Sequence, residues 1–333
     1  MFIKRNTWVV VLAAGSGQRL RALTANSEGR AVPKQYCSLL GDRTLLQATL
    51  ARARAVAGLQ RVCVIVAAQH ALWWHPLQRS LAPGNLIVQP EDRGTAHGVL
   101  LPMLHILARD PHARILYLPS DHYVAEEQHL YADLLKTLRA SDSTEQVCLL
   151  GFRAEHADPE LGYIVPGAAA AGVLPVQRFV EKPVRSRAVE LMGSGALWNS
   201  FIFAASACTL LALYQQRAPQ ALATLSLALR RSGADLLRAA YAALPPLDFC
   251  RDLLAGAEAR LRVLTARACG WTDLGTPERV GMALASIEST PSAAPRICHV
   301  QPDHNPVLAT AYGAARVTGV TDSPVADMML ASS

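Results

Sequence analysis

Short apolar runs rich in β-branched residues alternate with helical patterns through the first half of this chain. The predicted strands are Trp8–Leu12, Val62–Ala67, Leu86–Val88, Ile115–Leu118 and Val147–Phe152. The predicted helices are Thr44–Ala57, Thr95–Ala108 and Gln128–Arg139. This alternation predicts an α/β fold, in which a parallel sheet is covered by helices on both faces. Ligands of such sheets bind beyond the carboxyl ends of the strands, so residues just after a strand are the first candidates for a site.

The pattern becomes less regular after about Leu161. The predicted elements there are strands at Val176–Glu181 and Ser200–Ala204, a helix at Ser186–Met192 between them, and a helical insert rich in Ala and Leu at Ala207–Leu254. We expect residues 1–287 to form one domain. The remaining residues, 288–333, are rich in Ser, Thr, Pro and Ala and predict an irregular tail.

Composition excludes several classes of protein. A chain of 333 residues with 51% hydrophobic and 17% charged residues is typical of a globular protein. The net charge is +6, but the basic residues are scattered, which argues against a nucleic-acid partner. No apolar run approaches the roughly 20 residues that span a membrane. The seven cysteines form no Cys-x-x-Cys pair, so we expect a cytoplasmic protein with reduced thiols.

The first predicted strand leads directly into a loop with two glycines, Gly15 and Gly17. Glycines let a ligand approach the backbone closely, and the N–H groups of such a loop can cradle a base or phosphates. Arg19 and Lys34 follow and can neutralise anionic charge. The loop is not a kinase-type P-loop, because Gln18 and not lysine follows Gly17, and it lacks the third glycine of the dinucleotide fingerprint. It predicts a nucleotide site that includes Leu12, Ala13 and Ala14; a turn with incidental glycines is the alternative.

Two aspartates lie in small-residue contexts far apart in the sequence. Asp121 follows the predicted strand Ile115–Leu118, and Asp273 lies in the segment Gly270–Thr276. Carboxylate oxygens are the ligands that Mg²⁺ prefers, and two carboxylates can hold one metal ion between phosphates. The pair therefore predicts a magnesium site, with a simple turn or helix cap at Asp121 as the alternative.

The segment after the predicted strand Leu86–Val88 opens a helix. Backbone groups of Gly94 and Thr95 at this helix start can bind a phosphate or a base edge. Gln89 offers both a donor and an acceptor, so it can distinguish guanine. An ordinary capped loop is the alternative.

A third group of candidates lies in the second half of the chain. Lys182 can pair with a sugar phosphate, while Glu181 and Asn199 supply hydrogen-bonding groups for sugar hydroxyls, with Gly162 beside them in the proposed site. A surface ion pair next to a turn is the alternative for the Glu-Lys pair alone.

Taken together and in this order, the motifs of residues 8–285 resemble those of the mannose-1-phosphate guanylyltransferases, short form, a family of sugar-phosphate nucleotidyltransferases. The resemblance implies a Rossmann-like, doubly wound, mixed but mostly parallel sheet of the nucleotide-diphospho-sugar transferase type, with a nucleotide-binding half at about 1–155 and a sugar-phosphate half at about 156–287. Two residues depart from the family pattern: Phe201 stands where many members have glycine, and His97 stands where proline is frequent.

The resemblance also implies a reaction. Mannose 1-phosphate would attack the α-phosphorus of GTP in line, giving GDP-mannose and pyrophosphate, with Mg²⁺ held by Asp121 and Asp273. Arg19, Lys34 and Lys182 would be the catalytic cations. The expected partners are these two substrates, with no nucleic acid and no membrane, and a homodimer stays open as the assembly state.

Two alternatives remain open. A related enzyme would use another base or sugar, as a uridylyl- or thymidylyltransferase does. A catalytically silent regulatory subunit would bind a nucleotide sugar without turnover, although the five charged candidates Arg19, Lys34, Asp121, Lys182 and Asp273 are all present. The opening of the chain also resembles the cytidylyltransferases of isoprenoid synthesis, which share the glycine loop, but these lack the Glu-Lys-Pro and Trp-Asn-Ser motifs and are therefore a worse match.

Overall fold

The structure is a computed structural model that describes residues 6–26, 29–141, 145–168, 172–231 and 233–288, and a two-stranded pair near the end of the chain. The chain divides into two compact units. The first contains the segment that ends at Ala14, together with Arg52–Pro119 and Ala125–Cys269. The second contains Gly15–Ala51, Ser120–Val124 and the segment that begins at Gly270.

The first unit is built on one sheet, which has nine strands in the described residues. The strands are β1 Thr7–Ala13, β2 Val62–Ala67, β3 Leu86–Gln89, β4 Arg114–Pro119, β5 Val147–Arg153, β6 Tyr163–Pro166, β7 Val173–Val180, β8 Leu197–Ser206 and β9 Leu261–Thr265. Their order across the sheet is β3-β2-β1-β4-β8-β5-β9-β7-β6, and β6 also pairs with β8. The predicted strands are confirmed, while β6 and β9 were not predicted.

Strand directions confirm the mixed, mostly parallel sheet. β1 is parallel to β2 and β4, β3 is parallel to β2, and β9 is parallel to β5. β8 is antiparallel to β4, β5 and β6, and β7 is antiparallel to β6 and β9. Of the nine described strands of this sheet, all except β7 and β8 therefore run in one direction. Their carboxyl ends share an edge, where ligands of such sheets bind.

The helices in the described residues are α1 Leu45–Ala57, α2 Ala71–Trp74, α3 Thr95–Leu107, α4 Glu127–Ala140, α5 Arg185–Gly193, α6 Ala207–Arg217, α7 Pro219–Arg231, α8 Ala234–Ala243 and α9 Pro277–Glu288. The predicted insert Ala207–Leu254 is therefore α6 to α8, followed by a connection and a π-helical turn at Phe249–Leu254. None of the described helices combines the length and apolar character that a membrane-spanning segment needs.

Stacked aromatic rings attach the π-helical turn to the sheet. Phe203 of β8 stacks on Tyr117 of β4 with ring centroids 4.6 Å apart, and on Phe249 of the turn at 4.8 Å. Phe249 is completely buried. Burial of such a side chain stabilises the fold by about 2 to 3 kcal/mol. The start of the turn is thus held firmly by the core of the first unit.

The predicted tail 288–333 lies almost entirely outside the described residues. The exception is a short antiparallel pair, β10 His299–Val300 with β11 Ala315–Arg316. The two functional halves expected at about 1–155 and 156–287 stay a prediction.

Candidate active site

The two glycines of the loop after β1 have different structural roles. Gly17 has a left-handed backbone with φ of 58°, and a Cβ there would lie 3.1 Å from the backbone nitrogen of Lys34. Gly15 faces open space, with no atom within 4 Å of the position of a Cβ, and its carbonyl accepts a 2.9 Å hydrogen bond from Nε2 of Gln35. The left-handed backbone therefore explains why residue 17 is glycine. The open space beside Gly15 would let a ligand approach the backbone closely.

The remaining predicted residues around this loop are placed as follows. Leu12 and Ala13 end β1, and Ala14 follows them at the boundary of the first unit. Arg19 is exposed in a single 3₁₀ turn, Gln18–Leu20.

Lys34 is the centre of a charged cluster in the second unit. Its Nζ lies 2.8 Å from Oδ2 of Asp121 and donates a 2.6 Å hydrogen bond to the main-chain oxygen of Asp273. The Lys34 side chain is only 6% exposed, whereas the Asp121 side chain is 35% exposed. The structure thus brings together three residues that the sequence assigned to phosphates and metal, with the Asp121 carboxylate more open to a ligand than the lysine.

Asp273 is held by a partner that sequence reasoning missed. Its carboxylate forms an ion pair with Arg279 at the start of α9, and its Oδ1 accepts a 3.0 Å hydrogen bond from the N–H of Gly275. A Cβ at Gly275 would lie 2.7 Å from both the Asp273 carboxylate and the Arg279 guanidinium. Arg279 follows a loop and a helix start, so nothing in the local sequence pattern points to it.

His122 and Trp271 complete the cluster. Trp271 donates its indole N–H to Nδ1 of His122 at 3.2 Å, and the two rings meet edge to face. Nε2 of His122 lies 3.9 Å from the Asp121 carboxylate. Tyr123 and Thr272 exchange two backbone hydrogen bonds, which join the segments that carry the two aspartates.

The surrounding charges keep both aspartates ionised. Burial raises the pKa of Asp121, but Lys34 and His122 outweigh it, so the pKa is lowered overall. Burial likewise raises the pKa of Asp273, and His122 and Arg279 bring it below its ordinary value. Two ionised carboxylates are a donor set that fits Mg²⁺. The described residues contain no group of three or more metal-ligating side chains, so substrate oxygens and water would complete the coordination.

The loop after β3 belongs to the first unit. Gln89 is buried, and its Nε2 donates a 2.7 Å hydrogen bond to the carbonyl of Glu91. Oε1 of Gln89 is buried without a hydrogen-bond partner among the described residues. Buried acceptors are normally satisfied, so this oxygen suits a donor from a ligand.

Gly94 and Thr95 make contacts within the protein that the sequence did not predict. Gly94 has φ of 90°, and a Cβ there would lie 2.3 Å from the carbonyl oxygen of Leu247. The Thr95 hydroxyl donates to Oδ2 of Asp248 at 3.1 Å and accepts from the N–H of Phe249 at 2.7 Å. These two residues therefore hold a distant segment in place, whatever they also do for a ligand.

Glu181, Asn199 and Gly162 come together in the first unit. The N–H of Asn199 donates a 2.8 Å hydrogen bond to the carbonyl of Gly162. A Cβ at Gly162 would lie 2.6 Å from Oε2 of Glu181 and 3.4 Å from Cβ of Asn199. Lys182 is exposed and has a left-handed backbone, with φ of 42°. We call Gly162, Glu181 and Asn199 the carboxyl pocket.

The Glu181 carboxyl differs from the two aspartates in its protonation. Burial raises its pKa to about 7, helped by Asp248, while Lys182 and Arg251 lower it. Its Oε2 is buried and has no hydrogen-bond partner in the described part of the chain. A carboxyl that titrates near neutrality can both donate and accept hydrogen bonds, which suits neutral hydroxyl groups.

A sheet whose strands mostly run in one direction, with a glycine loop directly after its first strand, is a feature of many nucleotide-binding proteins. In agreement, residues 8–289 match the family model described as nucleotidyl transferase, and the chain belongs to this family.

Among its relatives, the alginate biosynthesis protein AlgA of Pseudomonas aeruginosa is 31% identical over 281 residues, covering 80% of this chain and 56% of the relative. The mannose-1-phosphate guanylyltransferase 2 of Escherichia coli O157:H7 is 34% identical over 207 residues, covering 58% of this chain and 42% of the relative. The chain thus spans about half the length of the curated relatives it matches.

One solved structure matches this chain over a larger share of its own length than the curated relatives do. The structure of a mannose-1-phosphate geranyltransferase from Thermus thermophilus is 29% identical, with a TM-score of 0.74, and the match covers 85% of this chain and 79% of that one. A structure from Helicobacter pylori, named mannose-6-phosphate isomerase, is 18% identical with a TM-score of 0.63; its match covers 80% of this chain and 99% of that one and supports the fold alone.

Proposed function

We propose that this protein is a mannose-1-phosphate guanylyltransferase that joins mannose 1-phosphate to GTP and releases pyrophosphate. The observation that carries the proposal is the buried Lys34, which contacts the Asp121 carboxylate and the main chain of Asp273. A fixed cation that contacts one ionised carboxylate and the main chain of the residue that carries the other suits a ligand that brings phosphates and a divalent metal. The name of the Escherichia coli relative supplies mannose and guanine, and the name of the Thermus thermophilus structure supplies mannose.

The chemistry is a direct displacement. A phosphate oxygen of mannose 1-phosphate forms a bond to the α-phosphorus of GTP, and the bond from that phosphorus to the bridging oxygen breaks as pyrophosphate leaves. The attacking phosphate needs no general base, because its second pKa of about 6 leaves it mostly ionised near neutrality. Positioning and charge neutralisation therefore carry the catalysis.

Each predicted residue has a role in this proposal. Arg19 and Lys34 bind the triphosphate and the departing pyrophosphate, and Lys182 holds the attacking sugar phosphate. Nucleotide contacts come from the loop after β1 and the loop after β3, namely Leu12, Ala13, Ala14, Gly15, Gly17, Gln89, Gly94 and Thr95. Gln89 presents its unsatisfied Oε1 to donors of the base. The carboxyl pocket of Gly162, Glu181 and Asn199 binds the sugar hydroxyls.

The metal would be Mg²⁺, held by Asp121 and Asp273. When bound, it neutralises negative charge on the phosphates and orients them. Until it binds, Lys34 and Arg279 balance the two carboxylates, which limits their mutual repulsion.

Pyrophosphate release by the purified protein tests the proposal, measured for the four nucleoside triphosphates against mannose 1-phosphate and glucose 1-phosphate. We expect release with GTP and mannose 1-phosphate, and its loss when EDTA replaces Mg²⁺. Release with another pair would keep the reaction and change the substrates. If a nucleotide sugar binds but no substrate pair releases pyrophosphate, the proposed enzymatic activity is contradicted and a regulatory subunit is favoured.

A further inference from the structure

The segment Leu247–Cys250 touches two groups of predicted site residues, although its own sequence pattern predicts no role for it. It lies between α8 and the π-helical turn and includes the first residues of that turn, and we call it the linking segment. We propose that the linking segment positions the carboxyl pocket: Cys250 orients the side chain of Asn199, and Leu247 and Asp248 anchor the segment to the Gly94–Thr95 loop. This inference rests on the proposed function, because the proposed function is what assigns sugar recognition to the carboxyl pocket.

At its start, the segment is fixed to the loop after β3. The N–H of Leu247 donates to the carbonyl of Arg93 at 2.9 Å, and the N–H of Ala96 donates to the carbonyl of Leu247 at 3.0 Å. Asp248 accepts from the Thr95 hydroxyl at 3.1 Å. Close packing at Gly94 leaves no room for the segment to shift toward the loop. Its position is therefore determined by several hydrogen bonds and a steric limit.

At its end, the segment contacts Asn199. Nδ2 of Asn199 donates a hydrogen bond to Sγ of Cys250 at 3.2 Å, while Oδ1 accepts from the N–H of Phe201 at 3.2 Å. With each end of the carboxamide bonded to a different group, rotation by 180° would place donor against donor at Phe201. The bond to Cys250 uses one of the two Nδ2 hydrogens, which leaves the second for a ligand.

Phe201 contributes through an uncommon backbone conformation. Its φ of 56° lies in the left-handed region, which is unfavourable for an aromatic residue. This conformation accompanies the bond from its N–H to Oδ1 of Asn199. Its ring packs within 6.0 Å of Phe203 and 5.8 Å of Phe249, between centroids, which holds the strained residue in place.

The thiol is suited to a positioning role. Cys250 is buried, and burial together with Glu181 and Asp248 raises its pKa, so the thiol stays neutral. A neutral sulfur accepts the Asn199 bond without adding charge beside Glu181. Alanine at this buried position removes both packing volume and the acceptor, so comparison with serine isolates the acceptor as the property to test.

The test compares GDP-mannose with GDP, because the ratio of their affinities isolates the sugar contribution. Calorimetry would measure both ligands with the full-length protein and with the variants Cys250→Ala and Cys250→Ser. We expect Cys250→Ala to weaken the affinity for GDP-mannose about five-fold, which is the effect of one hydrogen bond, and to leave the affinity for GDP unchanged. Cys250→Ser keeps an acceptor and should restore the ratio to within about two-fold of that of the unaltered protein.

The matched control is Cys148→Ala, which removes another buried thiol, from β5. It should change neither affinity beyond any general loss of stability, which thermal unfolding would report for every variant. An unchanged ratio in Cys250→Ala, or equal weakening of both ligands, would overturn the positioning role. Failure of the proposed function looks different: the unaltered protein would release no pyrophosphate, while the ratio could still be measured for whichever sugar nucleotide binds.

Discussion

The cluster around Lys34 and the carboxyl pocket around Glu181 have opposite effects on the ionisation of their carboxyl groups. In the lysine cluster, each carboxylate has a cationic partner, and the pKa of both Asp121 and Asp273 is lowered. In the carboxyl pocket, burial dominates, the pKa of Glu181 rises to about 7, and Oε2 has no hydrogen-bond partner among the described residues. One region holds fixed charge, and the other holds a proton that can be exchanged.

This difference matches two kinds of ligand chemistry. Fixed, paired charges need little reorganisation when phosphates and a metal arrive, which is the basis of electrostatic catalysis. A partly protonated carboxyl beside a carboxamide matches hydroxyl groups, which both donate and accept. Substitutions in the first region should therefore change turnover, and substitutions in the second should change the affinity for the sugar.

The largest effect is expected from Asp121→Asn. The substitution keeps the shape of the side chain but removes the charge that pairs with Lys34, so we expect turnover to fall about 100- to 1000-fold, as when a group that stabilises developing charge is removed. Pyrophosphate release at saturating substrates measures it. Near-normal turnover would contradict the view that the paired charges around Lys34 are needed for catalysis.

Asp133→Asn is the matched control for that variant. Asp133 is a buried carboxylate on α4 that pairs with Lys136 and Arg267, and its pKa is also lowered overall although burial raises it. It has no role in the proposed reaction. We expect it to lose stability by about 1 to 3 kcal/mol, because the buried side chain loses the charge that strengthens its hydrogen bonds, while turnover is retained.

Gly162→Ala should have the next largest effect, on the sugar side alone. Its Cβ would lie 2.6 Å from Oε2 of Glu181, so the carboxylate must move out of its place in the carboxyl pocket. We expect KM for mannose 1-phosphate to rise about ten-fold, with KM for GTP unchanged, in steady-state kinetics.

Gly193→Ala provides the control, since no atom lies within 4 Å of a Cβ at that position on α5. It should leave both KM values as they are. A rise in KM for GTP with Gly162→Ala would show that the pocket is not limited to the sugar.

Sequence alone predicted much of this arrangement but not its long-range contacts. The strands before β6 were predictable because their β-branched runs are continuous, whereas Tyr163–Pro166 is short and ends in proline, and β9 contains Arg262. Lys34 and Asp121 were both predicted site residues, yet their ion pair was not, and the bond of Phe249 to Thr95 joins residues 154 apart. Local patterns contain no information about such pairs, since only the folded chain brings them together.

Glu181→Gln is expected to have a smaller effect, visible in the pH dependence of stability. Because the folded pKa of about 7 exceeds the ordinary value of 4.5, the folded protein keeps a proton that the unfolded chain loses between these values. Stability from this group is present below about pH 4.5 and is lost as the pH rises toward 7. Urea unfolding across this range should show a shallower decline in the variant than in the unaltered protein.

Glu190→Gln is the control for that titration, because Glu190 is an exposed residue of α5 whose side chain is 60% accessible. It should reproduce the pH dependence of the unaltered protein. Equal slopes for Glu181→Gln and the unaltered protein would mean that the Glu181 carboxyl is ionised throughout, and the contrast with the lysine cluster would be lost.

The smallest effect is expected at Lys182, an exposed residue next to the carboxyl pocket whose backbone φ is 42°. Two substitutions there separate the effect of backbone strain from the effect of the side-chain charge. Lys182→Ala and Lys182→Gly both remove the ammonium group and should lower turnover equally. Only glycine adopts this conformation without strain, so the glycine variant should be more stable than the alanine variant by about 1 kcal/mol in urea unfolding. Equal stabilities would mean that the backbone relaxes once the lysine is gone. A more stable but inactive glycine variant would show that the strained conformation is maintained for the lysine's role in the site.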